Sequence, residues 1–411
     1  MMGGIRWPRP SKLARNSAVL TAGSATAQVV SAVTFLLAAR QFGPILFGHV
    51  AAIYGVITFL ARLLDFGAAT QGMRTFARDE KANDFWNLAI SRIWLTAGLF
   101  VLGCGGLVLG LDPMTCLVPF AAAAITFELF ACAPLQAKER FGWVATVMIV
   151  DKITALIVFV VLHNRVRTGL GLDLIIALSI GPMVGTAFAI MKWDKRVSPF
   201  SRLPRTSPWR GAGHLGVGSL AIGLASLDVL VINWSAGAGA AGAYAAVSRW
   251  GAPFTLLAVG VSQAAFPAMI RAKDQREAMS TFWSAGRTLV VPIVLLGLLA
   301  VSAGYLVPLF LGAAYVDSVA TLRMLAVALI LMCASLPQIT FLQARGQERS
   351  AAIILVLGAV VLFSSLVLLA PVWGATGAAV AVAVSQLVVC GFTCLSMVRL
   401  GRKEMANVAQ A

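Results

Sequence analysis

GPILFGHVAAI, residues 43–53, has an echo half the chain away in GAGAAGAYAAV, residues 237–247. Both read Gly, four residues, Gly, two residues, Ala-Ala and an apolar residue. Gly and Ala are common in this chain, so one match carries little. A second comes from LQAKERFG, starting at Leu135, and LQARGQERS, starting at Leu342. Two landmarks in the same order in each half point to an internal duplication.

The sequence around them is unusually apolar. Of 411 residues, 59% are hydrophobic and only 12% charged, with a mean hydropathy of +0.88. Soluble domains carry about 25% charged residues. A hydrocarbon core about 30 Å thick takes roughly 20 apolar residues per crossing helix, and such runs follow one another along this chain. Backbone polar groups find no partner in lipid, so long apolar runs mean helices; a barrel would show short alternating strands.

The pattern predicts twelve spans, at 17–39, 46–68, 89–110, 114–134, 143–162, 172–191, 213–234, 241–266, 288–310, 318–340, 350–370 and 374–398. Arg6, Arg9, Lys12 and Arg15 precede the first apolar run like a signal peptide, but that run continues past Ala27 and suits an uncleaved span. Counting loops alternately from the N-terminus, one side collects 23 Lys and Arg and the other only Arg40, Arg165 and Arg167. Positive charge stays in the cytoplasm, which places both termini there. The net charge of +16 is then a topological signal and a contact with anionic headgroups, and calls for no nucleic acid.

With an even number of spans per half, both landmarks fall on matching sides. The expectation is an all-α membrane protein: two six-helix lobes, a parallel pseudo-repeat, around a central cleft. The N-terminal lobe covers 1–191 and the C-terminal lobe 213–411. Residues 192–212, rich in Pro, Ser and basic residues, form a cytoplasmic linker.

Chemistry is carried by few residues. G-x-S-x-G, H-E-x-x-H and a Gly-rich phosphate loop are all missing, and His49, His163 and His214 are scattered, so an enzyme is not expected. The six cysteines lie in apolar runs without ligand spacing and read as packing residues. Charges inside spans are costly and mark interior positions. Arg62 and Asp65, three apart in the second span, could pair. Glu128 lies in the fourth span. Asp151 and Lys152, adjacent in the fifth, point different ways. Asp228 and Arg249, in the seventh and eighth spans, could meet across the helix pair. These seven are the candidate substrate-binding residues, facing a water-filled cleft in which arginine forks meet phosphate oxygens. Arg92, Arg287 and Arg323 read as locally paired or reaching the interface. Gln28, Asn233 and Gln263 are lesser candidates for sugar contacts.

FGPILFGHVAAIYGVITFLARLLDFGAATQGMRTFARDE, 42–80, resembles the opening of Wzx-type oligosaccharide flippases of the polysaccharide biosynthesis family. These share a superfamily with MATE multidrug exporters and lipid II flippases. SLAIGLASLDVLVINWSAGAGAAGAYAAVSRWGAPF, 219–254, resembles the start of their second lobe, including Asp228. The resemblance implies movement of a polyprenyl-diphosphate-linked oligosaccharide from the cytoplasmic to the outer leaflet of the bacterial inner membrane by alternating access, for O-antigen, capsule or exopolysaccharide. Arg62 and Arg249 match the cleft arginines of lipid II flippases by helix only. The implied partners are the lipid-linked oligosaccharide, membrane lipids, and a polysaccharide polymerase with chain-length proteins. No cofactor or metal is implied; coupling to Na+ or H+ stays open. The alternative is a cation-coupled, MATE-like drug exporter, and the count of intramembrane charges does not decide between them.

Overall fold

The computed structural model describes residues 12–78, 83–166, 171–193, 216, 220, 223–272 and 275–410. Among the described residues every regular element is helical, and eight helical segments are long and apolar enough to cross a membrane. The chain is an all-α, multi-pass membrane protein. The expected linker, 192–212, lies almost wholly outside the described residues.

Helix α1, Lys12–Asp65, is 54 residues long. Straight, it would measure about 80 Å, against about 30 Å of hydrocarbon. Gly43 breaks it: at φ 71° and ψ 171° it leaves the helical region, a conformation that costs glycine little. The second limb then opens on Pro44, whose missing N–H has no helical acceptor at that position anyway. There follow α2 (Ala68–Arg78), α3 (Asn83–Val108), α4 (Pro113–Ala131), α5 (Ala133–Ala137), α6 (Phe141–Val166) and α7 (Leu172–Met191). In the second half come α8 (Asp228–Ala236), α9 (Ala238–Ser248), a 3-10 turn at Arg249–Gly251, and α10 (Ala252–Arg271). The chain ends with α11 (Gln275–Thr288), α12 (Val290–Leu311), α13 (Ser318–Ala344) and α14 (Glu348–Gln410), the last broken at Gly374. The expected third to sixth, ninth and tenth spans each fall on one helix. The first two share α1, the last two share α14, and the eighth is divided between α9 and α10.

Gly237, between α8 and α9, takes φ 87° and ψ 166°, close to the angles of Gly43. The two landmarks are therefore alike in shape as well as in sequence. They also touch. A Cβ on Gly48 would overlap the carbonyl oxygen of Ala238 and stand 2.8 Å from the nitrogen of Gly242. A Cβ on Gly242 would overlap the carbonyl oxygen of Pro44 and stand 3.0 Å from the nitrogen of Gly48. The shift that carries Gly43 onto Gly237 carries Pro44 onto Ala238 and Gly48 onto Gly242, so each contact maps onto the other. This is a local two-fold contact of backbone on backbone, possible only where both side chains are a hydrogen atom. Small residues at such contacts are how helices associate in lipid, where apolar burial supplies no drive.

From that turn end the two halves stay in contact to the opposite, basic end. Tyr315, 1% exposed, donates its hydroxyl to the carbonyl of Ala39 at 2.8 Å. A Cβ on Gly55 would stand 2.5 Å from the carbonyl oxygen of Ser226. Arg62 packs its stem against Gly223, the ring of Phe66 sits on Gly216, and Gly260 faces Thr21. The second limb of α1 thus runs beside α8, and the first limb beside α10. The expected open cleft is not what these contacts describe; the halves close on one another because glycines line the approach. Phe35, Phe47, Phe159, Leu174, Tyr244 and Leu322 belong to a single apolar core shared by both halves.

Candidate functional site

Pro253 explains where the site lies. Lacking an N–H, it cannot bond the carbonyl of Arg249 one helical turn back. The chain answers with the 3-10 turn at Arg249–Gly251, and Ala252 donates to the Arg249 carbonyl instead. Arg249 therefore stands at a helix break within the apolar segment. Its guanidinium carbon lies 3.7 Å from the ring centroid of Phe35 and 5.1 Å from that of Tyr54, both on α1. Those two rings are 5.2 Å apart and form a floor from the first half for a cation from the second.

Asp228 opens α8 nearby. Tyr244 donates its hydroxyl to Asp228 Oδ2 at 2.9 Å, and the N–H of Val229 donates to Oδ1 at 2.7 Å. The carboxylate is close enough to Arg249 for the two charges to interact. The expected meeting of Asp228 and Arg249 across the helix pair is thus electrostatic, with Tyr244 holding the carboxylate in place. Among the described residues no acceptor takes a hydrogen bond from the Arg249 side chain. Its planar fork of five N–H donors rests on aromatic faces.

A second group lies in the first half. Lys152 Nζ is 2.5 Å from Asp151 Oδ2. Neighbours on a helix do not normally face each other, and the sequence suggested divergence; the flexible lysine stem bends back to make the pair. Gly181 and Gly185 of α7 leave room for the acids: a Cβ there would stand 2.5 Å from Asp151 Oδ1 and 2.9 Å from Glu128 Oε1, respectively. Asp151 is 2% exposed, and its Oδ1 has no hydrogen-bond partner. Tyr54 is within electrostatic reach of both Lys152 and Arg249.

Asp65 belongs to neither group. Its carboxylate accepts from the N–H groups of Gly67 at 3.1 Å and Ala69 at 3.0 Å, satisfying orphan donors at the start of α2. Arg92, only 1% exposed, donates to the carbonyls of Leu64 and Asp65 at the end of α1. The expected Arg62–Asp65 pairing gives way to this knot because a carboxylate beside free N–H groups is better served by them. Asp65→Ala should lower thermal stability by about 1 kcal/mol without changing substrate handling; an unshifted melting temperature would remove the cap from the account. Arg62 lies about 12 Å along α1 from Tyr54, toward the basic end. Arg287 and Arg323 are exposed. Asn233 keeps a buried oxygen without a partner, Gln28 is half-buried, and the side chain of Gln263 lies outside the described residues.

Sequence reasoning overlooked Phe35 and Tyr54, and gave Tyr244 no role at the site. A signal was there: tyrosine occurs only four times in the chain, and Tyr54 and Tyr244 each follow one landmark glycine within a dozen residues. It also overlooked His163, whose Nδ1 is 2.6 Å from Asp173 Oδ2 in a setting walled by Phe42 and Phe159. Among the described residues no cluster of His, Cys, Asp and Glu could hold a metal ion.

This fold is shared with solved membrane transporters. The chain superposes on lipid II flippase MurJ in an inward closed conformation with a TM-score of 0.73 at 14% identity, covering 92% of this chain and 87% of that one. An inward-facing multidrug resistance MATE family transporter of the MOP superfamily gives 0.67 at 14% identity, covering 92% and 96%. A Vibrio cholerae MATE transporter gives 0.57 at 17% identity, covering 96% and 98%. Curated proteins give no match by sequence. The chain thus has the fold of these solved transporters. Residues 13–273 match the family model described as polysaccharide biosynthesis protein, and the chain belongs to that family.

Proposed function

We propose that this protein moves a polyprenyl-diphosphate-linked oligosaccharide across the bacterial inner membrane, from the cytoplasmic to the outer leaflet. In this reading twelve spans form two six-helix lobes, 1–191 and 213–411, which rock so that the contact at Gly48 and Gly242 parts at one stage of the cycle and that at Thr21 and Gly260 at another. The distribution of Lys and Arg supports both termini in the cytoplasm. The polyprenyl tail stays in lipid; the diphosphate and sugars need a polar route between the lobes. The coordinates then correspond to a closed stage of the cycle, since the halves touch at both ends.

The observation that carries the reading is the seat of Arg249. Its guanidinium lies where the two halves meet, over aromatic faces and within electrostatic reach of Asp228, with no hydrogen-bond acceptor among the described residues. A bidentate fork so placed is a receptor for phosphate oxygens. Lys152 offers a second cation if the headgroup draws it from Asp151. In proteoliposomes, Arg249→Ala should reduce flipping of a fluorescent polyprenyl-diphosphate sugar roughly a hundredfold, the loss of two charge-assisted hydrogen bonds. Arg249→Lys keeps the charge without the fork and should recover only part. Both proteins should reach normal abundance, and full flipping by Arg249→Ala would end this reading.

A MATE-like cation-coupled exporter is the second reading. It is favoured by Glu128 and Asp151 side by side with an unpartnered carboxylate oxygen. It requires Asp151→Asn to abolish drug efflux while Arg249→Ala leaves efflux intact.

A further inference from the structure

Charge is also buried at the turn end, behind the meeting of the two landmark glycines. His163, in the last turn of α6, and Asp173, in the first turn of α7, lie 2.6 Å apart from Nδ1 to Oδ2. A carboxylate only accepts, so Nδ1 is the donor. Asp173 is 4% exposed, and its other oxygen accepts from the N–H of Leu174 at 3.0 Å. A charge so deep in the protein is costly without a counter-charge. His163 supplies one only when its ring carries a second proton, and a histidine ordinarily gains or loses that proton between about pH 5 and 8.

The pair is placed to hold the strip of α1 that makes the junction. The ring of Phe42 lies 5.7 Å from that of His163 and 5.9 Å from that of Phe159, which is itself 5.6 Å from His163. In the connection from α6 to α7, Gly171 at φ 72° leaves room for α1: a Cβ there would stand 2.4 Å from Val50 and 3.7 Å from Phe42. Phe42 and Val50 bracket Gly43 and Gly48. Helices α6 and α7, tied together by the pair, therefore grip α1 on both sides of the residue that meets Gly242. The other ionisable groups at this end of the elements packed here are Arg40 and His49 on α1, Asp112 before α4 and Arg165 on α6. All four are exposed, and Asp112 is engaged by the N–H of Thr115.

We propose that His163 and Asp173 form a proton-sensitive latch, made when the imidazole is charged, which holds the junction of Gly48 and Gly242 shut. The neutral ring still donates one hydrogen bond, but it leaves the carboxylate charge buried without its counter-charge, and the grip on α1 loosens. The latch is thus tight below the histidine range and is lost as pH rises through it. It is independent of which substrate is carried. In the orientation proposed above this end faces the outer medium, so acid outside favours the closed arrangement.

The test uses the full-length protein with Ala238→Cys in nanodiscs, with no substrate, and follows alkylation of that thiol. Comparing variants at one pH cancels the thiol's own titration. At about pH 5, adding His163→Gln or Asp173→Asn should speed alkylation roughly tenfold, the difference between a charge-assisted and a neutral hydrogen bond. At about pH 8 the His163→Gln protein and its parent should react alike. His163→Lys, a permanent cation, should keep alkylation slow across the range. His49→Gln, next to Gly48 but exposed, should leave the pH dependence intact. In the unsubstituted protein, hydrogen exchange of the amides from His163 to Leu174, corrected for the intrinsic rate, should quicken roughly tenfold over the same range, which reads the latch even if a variant folds poorly. Equal alkylation of the His163→Gln protein and its parent at about pH 5 would overturn the proposal. So would a pH dependence that disappears with His49→Gln, or corrected exchange that is flat with pH. A His163→Gln protein that reacts faster at every pH would make the pair a static brace and overturn its proton sensitivity.

Discussion

Gly48→Leu and Gly242→Leu should each abolish transport, and to the same degree. In each case the new side chain meets a backbone carbonyl, of Ala238 or of Pro44, which cannot rotate aside. Overpacking of this kind sits at the upper end of its usual range, about 3 kcal/mol or more, which shifts the closed arrangement against an open one roughly a hundredfold. The protein should still reach the membrane, because the clash arises where the halves touch and not inside either one. Labelling of a cysteine placed at Ala238, which faces the junction, should accelerate, while one at Ile45, already exposed at the turn, should label at an unchanged rate. Unequal effects of the two leucines would break the equivalence of the two contacts, and normal transport in both would show that this end need not close.

At the basic end the complementary experiment forbids opening. A Cβ built on Gly260 stands 3.8 Å from that of Thr21, the mean separation across a disulfide. Thr21→Cys combined with Gly260→Cys should oxidise to a bridge joining α1 to α10. Transport should fall to background on oxidation and return with reductant, while either single variant works throughout. All six native cysteines are free, and the single variants control for them. A protein that is fully bridged yet transports at the normal rate would show that the two helices do not part during the cycle.

Much of the architecture was legible before any coordinates. Apolar run length announced helices, because lipid leaves the backbone no other partner. Gly43 and Gly237 announced turns. What the repeat could not say is that its two copies touch; a one-dimensional pattern carries shape, and contact comes from the packing of both halves. The site was half legible. Asp228 and Arg249 stood out as charges within apolar runs, and they do lie together. Asp65 stood out for the same reason and turned out to cap α2, a role already hinted at by the Phe-Gly-Ala-Ala that follows it. Asp151 and Lys152 were read from helical spacing alone, and lysine's four-carbon stem defeats that rule. The aromatic floor under Arg249 left only a faint trace, since Phe35 is one of 22 phenylalanines.

A segment that docks against its own copy is what a symmetric homodimer makes. The junction at Gly48 and Gly242 has, within one chain, the reciprocal geometry of such a subunit contact. Residues 1–191 expressed alone should accordingly pair through Gly48, and a bulky residue there should leave them single.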